Sequence, residues 1–224
     1  MSIHVQSPRG REVELHPRED TTDLATIGST FRLWGNLVDE YDLASVHSDG
    51  LMLDVGAHIG TVAIAFLLDN PQARAIAVEP LPENIDCIRL NAESAGVSDR
   101  LTVIQGAFGT DRIAYGPDVH RYIGNLGTLA KGGKARHRKG AETVTVEALS
   151  LSGLIEEHGP IDVMKTDCEG CEWSLLADPS VGSVRLIFGE YHYGGPDRIH
   201  ELLDATHTVT VGTEPTGDFR AVWP

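Results

Sequence analysis

The chain has 224 residues, with 18 Lys and Arg against 33 Asp and Glu, a formal net charge of −15 at neutral pH. That length suits a single domain, residues 1–224, with a full hydrophobic core. The acidic balance repels phosphate backbones and argues against a nucleic-acid substrate; residues 1–20 hold no apolar signal-like run, and no apolar stretch approaches the ~20 residues that cross a bilayer.

Residues 1–47 read as an N-terminal extension. Val13-Glu14-Leu15 suggests a short strand or hairpin, followed by a loop through Asp20-Thr21-Thr22-Asp23. Phe31, Trp34, Leu37, Val38 and Tyr41 recur at helical spacing, which predicts a helix within residues 30–47 whose aromatic residues anchor it to the core. Leu51-Met52-Leu53-Asp54-Val55 is a buried strand. It runs through the turn Gly56-Ala57-His58-Ile59-Gly60 into an apolar helix from Thr61. Ala75–Val78 is the second strand and ends in Glu79-Pro80; residues 82–95 form a helix stopped by Gly96. The third strand, Leu101–Ile104, ends in Gln105-Gly106-Ala107.

From Gly109 to Gly140 glycines punctuate the chain and its one basic cluster occurs: Lys131, Lys134, Arg136, Arg138 and Lys139. A segment this long and irregular is expected either to be a mobile active-site flap or to be a solvated surface loop. Thr143–Val146 alternates as a strand, and Leu151–His158 is a short helix. Ile161–Asp167 is the fourth strand, leading through Cys168-Glu169-Gly170-Cys171-Glu172-Trp173 into another helix. Arg185–Phe188 is the fifth strand, ending in Glu190-Tyr191-His192; a helix over Asp197–Ala205 and two strands, His207–Val211 and Phe219–Trp223, follow. Strands and helices alternating in this way describe a doubly wound α/β domain with a seven-stranded sheet, mostly parallel, closed by an antiparallel final strand.

The glycines at 56 and 60 let backbone approach a ligand, and an acid at the tip of the second strand suits ribose hydroxyls. The spacing differs from G-x-G-x-x-G, and Asp54 would repel a pyrophosphate. A cofactor with an ammonium group, S-adenosylmethionine, fits better. The cofactor set is therefore Asp54, Gly56, Ala57, His58, Gly60, Glu79 and Pro80, with Gln105 and Ala107 at the third strand tip. Asp167, Glu169 and His192 collect at later strand ends and are the candidates for orienting and deprotonating an acceptor, His192 with its near-neutral natural pKa as base. Glu172 falls in the first turn of a helix, which explains it structurally. These acids also suit a hard cation, without establishing one, and no metal ligands are assigned. Cys168 and Cys171 have C-x-x-C spacing, but with no second ligand pair and acids interleaved, zinc and redox readings are disfavoured. The three cysteines make no disulfide framework and fit a reduced, cytoplasmic setting.

Asp54-Val55-Gly56-Ala57-His58-Ile59-Gly60, Val78-Glu79-Pro80, Lys165-Thr166-Asp167-Cys168-Glu169-Gly170-Cys171-Glu172 and Glu190-Tyr191-His192 together resemble the FkbM family of S-adenosylmethionine-dependent methyltransferases. The most specific part is D-x-E-G-x-E with its preceding lysine; His58 departs from the asparagine usual in the first loop. The resemblance covers roughly residues 30–195. It implies a class I methyltransferase (Rossmann-like) fold and O-methylation of a hydroxyl on a small natural product or a sugar. N-methylation of an amine and a non-catalytic nucleoside-binding module are the alternatives.

Overall fold

The computed structural model describes residues 1–115, 142–192 and 194–224. It divides into two compact units, one of residues 1–105 and one from residue 106 onward.

In the first unit, β1 (Ile3–Gln6) and β2 (Glu12–Leu15) form the expected N-terminal hairpin, with Val5 opposite Val13. α1 (Asp23–Thr30) occupies sequence read as a loop, and the helix expected within 30–47 is absent. The reason lies in the backbone: Trp34, Gly35, Asp39 and Asp42 all take positive φ, which an α-helix cannot contain. Asp39 turns its carboxylate onto the Leu43 and Ala44 amides at 2.7 and 2.9 Å, an acid serving a turn and not a helix face. Trp34 is 78% exposed, so it does not anchor the segment, whereas Phe31 and Tyr41 are buried.

Parallel strands β3 (Leu51–Val55), β4 (Arg74–Glu79) and β5 (Leu101–Phe108) follow, with α2 (Thr61–Asp69) and α3 (Pro82–Ser94) as crossovers. β3 is buried along its whole length, and α2 buries nearly every residue, the pattern of a helix enclosed on all sides. The register sets Val55 beside Val78 and Glu79 beside Gln105, so the tips of β3, β4 and the middle of β5 line up.

In the second unit, β6 (Arg112–Tyr115) pairs antiparallel with β7 (Glu142–Thr145), so Thr143–Val146 supplies a strand of a separate two-stranded sheet. β8 (Glu147–Leu149) runs parallel to the end of β5, an eighth strand added to the seven expected. Then come α4 (Leu151–His158), β9 (Ile161–Thr166), α5 (Glu172–Leu176), β10 (Leu186–Tyr191), α6 (Pro196–Leu203), β11 (Thr208–Val211) and β12 (Gly217–Val222). β9 and β10 are parallel; β12 is antiparallel to both β10 and β11, as the final strand was expected to be. The architecture is α/β with mostly parallel strands. The proposed flap lies outside the described residues from position 116 onward, its basic cluster included. No described helix is long and apolar enough to cross a membrane.

One cysteine expectation is corrected. Cys168 and Cys171, read as reduced, are joined by a disulfide, their Cα atoms 5.5 Å apart; Cys87 is free and buried. The turn through Glu169-Gly170 brings the two sulfurs together, which the C-x-x-C spacing alone does not ensure.

Candidate functional site

The turn after β3 hangs on the tip of β4. The Gly56 and Ala57 amides donate to the Val78 carbonyl at 3.0 and 3.1 Å, the His58 amide donates to Glu79 Oε2 at 2.9 Å, and Gly60 N closes on Ala57 O at 2.7 Å. Gly60 takes φ +84°, and a Cβ there would meet Ile88 at 3.1 Å and Ile64 at 3.2 Å, so the turn requires glycine. As the residue preceding α2, Gly60 offers no capping side chain. Asp54 supplies one from β3, accepting from the Ala63 amide at 3.1 Å while fully buried.

Glu79 is 2% exposed. Its Oε1 accepts from Leu81 N at 3.1 Å and Asn84 Nδ2 at 3.0 Å, and its Oε2 from His58 N. Burial raises its pKa above the ordinary value, against the pull of the Asn84 and amide hydrogen bonds. A carboxylate has about four lone-pair sites. With three in use, one acceptor position remains, enough for one ribose hydroxyl and not the pair expected from sequence.

These bonds belong to a ring of polar groups that the sequence did not reveal. Asn84 Oδ1 accepts from Arg18 at 2.9 Å; Arg18 grips Asp23 through its amide, Nε and Nη2 at 2.8–2.9 Å; and His58 Nε2 lies 3.3 Å from Asp23 Oδ1, returning to the Glu79 turn. Asp23 is fully buried; desolvation raises its pKa, but the Arg18 and His58 contacts outweigh that and hold it well below the usual carboxylate range. His58 thus gains a partner on α1. Arg18 and Asp23 escaped notice because they sit in a stretch read as loop. Gln105 reaches back to the Pro80 carbonyl at 3.1 Å, joining the tip of β4 to the middle of β5. Ala107 lies in an apolar cluster with Ile113 and Val146.

In the second unit, the acidic motif and His192 do come together. Glu169 takes φ +57° and Gly170 φ +112°, folding the chain sharply between β9 and α5. Glu172, assigned only a helix-end role from sequence, is fully buried and ties the site together. Its Oε2 accepts from Gly170 N at 2.8 Å and its Oε1 from His192 N at 2.6 Å. Trp173 Nε1 donates to the His192 carbonyl at 2.8 Å, so the backbone of His192 is fixed on both sides. Around the imidazole stand Glu172 Oε1 at 3.4 Å from Nδ1, and Glu190 Oε2 and Glu169 Oε2 at 3.5 and 3.7 Å from Nε2.

This crowding changes the protonation reading. Burial pushes the His192 pKa down, but hydrogen bonding to Glu172 and Glu190 and the charges of Glu169 and Glu172 prevail and lift it to about 10. The facing carboxylates favour the imidazolium, whereas the sequence alone suggests a base of near-neutral pKa. Glu169 is raised as well, to about 7, by burial, with His192 opposing and Asp167 and Glu190 reinforcing. Hydrogen bonding to His192 holds Glu190 low, helped by the buried Lys165 on β9. Burial raises Asp218 on β12, as do the charges of Glu190 and Asp167. Asp167, Glu190 and His192 also bring polar side-chain atoms within 4.8 Å of one another.

The first unit thus carries a Rossmann-like turn with a buried acid at the next strand tip, and the second an acid–imidazole cluster after later strands. The description Methyltransferase FkbM domain matches residues 54–209, and the chain belongs to that family. It is 30% identical over 166 residues to methyltransferase sdnD of Sordaria araneosa, covering 61% of this chain and 62% of that protein. It is 31% identical over 121 residues to a probable cobalt-precorrin-6B C(15)-methyltransferase (decarboxylating) of Pyrobaculum calidifontis, covering 50% of this chain and 60% of that one. The chain thus spans about three-fifths of the length of these relatives. Among solved structures, precorrin-6y C5,15-methyltransferase of Geobacter metallireducens has a TM-score of 0.47 at 13% identity, over 81% of this chain and 84% of that one.

Proposed function

We propose that this chain is an S-adenosylmethionine-dependent O-methyltransferase acting on a hydroxyl of a small natural product or a sugar, in the cytoplasm. Membership of the FkbM family supports methyl transfer. The observation that carries the choice of a hydroxyl is Glu169, a carboxyl raised to about 7 beside the imidazolium of His192. A hydroxyl must lose a proton as it attacks, and a base poised near neutrality suits that step.

The residues of the first unit fit the cofactor: a tight glycine turn, and a buried carboxylate with one acceptor position left over. Glu79 would take a ribose hydroxyl, and the Gly56–Gly60 turn would admit the ligand's backbone-side edge. S-adenosylmethionine, when bound, supplies an electrophilic methyl group carried on a sulfonium. The chain's own work is then to orient the acceptor and to receive its proton at Glu169. His192 favours the ionised form of Glu169 and is itself oriented by Glu172 and Trp173. Asp167 adds negative charge at the start of the same turn and remains the second candidate for holding the acceptor.

The surplus of carboxylates also suits an ammonium, which favours N-methylation as the second reading. Labelled methyl transfer to matched panels of hydroxyl- and amine-bearing acceptors separates the two. Turnover confined to alcohols and rising with ionisation of Glu169 supports O-methylation. Turnover confined to amines, indifferent to Glu169→Gln, overturns it. The net charge of −15 supports a small-molecule acceptor in place of a nucleic acid.

A further inference from the structure

The two variable positions of the acidic motif are both cysteine here, and they bracket Glu169 and Gly170. We propose that the Cys168–Cys171 disulfide is a positioning clamp that holds Glu169 against His192, and that its reduction by a dithiol releases Glu169 and lowers turnover. The inference rests on the role proposed for Glu169.

The geometry carries it in three steps. Glu169 sits at φ +57°, a left-handed conformation that a residue with a Cβ avoids unless its surroundings hold it there. The cross-link closes the loop on that very residue, Cys168 immediately before it and Cys171 two positions after. The same short turn delivers the Glu169 carboxylate to 3.7 Å from His192 Nε2, and Gly170 N to 2.8 Å from Glu172 Oε2. Opening the disulfide removes a covalent restraint from a residue held in a left-handed conformation.

The pair is also built to be reached from one side. Cys168 is partly exposed, whereas Cys171 is 3% exposed. A thiolate of the dithiol reductant attacks Cys168 Sγ; the S–S bond breaks and its electron pair leaves on Cys171, which takes up a proton. The second thiolate of the reductant then attacks the mixed disulfide, so Cys168 leaves as a thiol and the reductant ends as a disulfide. Two electrons and two protons enter the chain. Glu172 Oε2 lies 3.7 Å from Cys168 Sγ, and carboxylates this close disfavour a Cys168 thiolate. The reduced pair is therefore a poor attacking dithiol, which makes it a restraint and not an oxidoreductase centre.

The test needs no acceptor. Imidazole signals of the full chain, labelled at histidine and assigned with His192→Gln, are titrated in the air-oxidised protein, after dithiothreitol, and in Cys168→Ser/Cys171→Ser. The groups facing His192 are Glu169 and Glu172 from the turn and α5, and Glu190 from β10; Asp167, Lys165 and Asp218 act on these in turn. In the oxidised protein the midpoint should lie above the ordinary histidine value, because three carboxylates face the ring. Reduction, the double serine variant, and Glu169→Gln in oxidised protein should each lower it by about one unit or more, as loss of a facing carboxylate does. If Glu169→Gln lowers the midpoint but reduction and the serine variant do not, the clamp is overturned while the Glu169–His192 pairing stands. If Glu169→Gln leaves it unmoved, the pairing fails and the clamp with it. Thiol titration of denatured protein should find one free thiol before reduction and three after. Three before, with no oxidant able to close the pair, overturns the clamp as well.

Discussion

At the scale of single residues, the acid and the imidazole of the second unit have exchanged the roles their free side chains suggest. Glu169, raised to about 7, is the group that changes protonation near neutrality, while His192 holds its proton to about 10. Turnover should therefore rise with pH through about 7 as Glu169 ionises and fall toward about 10 as the imidazolium is lost, read in a pH–rate profile. Glu169→Gln should abolish the rising limb and lower turnover about a hundredfold in a folded variant. Both shifts make stability fall as pH rises, over different windows. Glu169 is raised from 4.5, so its ionisation weakens the fold, a penalty absent below pH 4.5 and complete above about 7. His192 is raised from 6.5, so it stabilises fully below pH 6.5, and that contribution is lost as pH climbs through about 10. Urea midpoints should decline between pH 7 and 10, and His192→Gln should flatten that decline.

At the scale of elements, the turn after β3 is stabilised by groups distant in sequence. Asp54 caps α2 where Gly60 cannot, so Asp54→Ala should cost about 1 kcal/mol in chemical denaturation. Arg18→Met leaves the fully buried Asp23 without its principal cation and should cost about 3 kcal/mol, well above a surface substitution. Sequence periodicity revealed β3, α2, β4, α3, β9 and α6 because each carries a regular buried face or a clear stop signal. It failed across residues 31–42, where the apolar spacing of Phe31, Trp34 and Tyr41 imitates a helix but repeated positive φ prevents one. The motif residues Asp167, Glu169 and His192 were visible at strand ends. What they do to one another was not, since a pKa depends on the carboxylates that Glu172 and Glu190 bring within 3.5 Å of the ring. Nor did C-x-x-C spacing distinguish a free pair from the disulfide that the Glu169-Gly170 turn permits.

At the scale of the whole molecule, membership of the FkbM family supports the methyl transfer proposed above. The proposed cofactor contact falls on Glu79, which already accepts three hydrogen bonds from the protein. The measurement that tests the account most directly is calorimetric titration of the chain and of Glu79→Gln with S-adenosylhomocysteine, with NAD as the comparison ligand. The wild type should bind S-adenosylhomocysteine and not NAD, and the variant should bind at least about tenfold more weakly, the loss of one charge-assisted hydrogen bond. Equal affinity in a folded variant would remove Glu79 from the site; binding of NAD with no heat from S-adenosylhomocysteine would contradict the methyltransferase account itself.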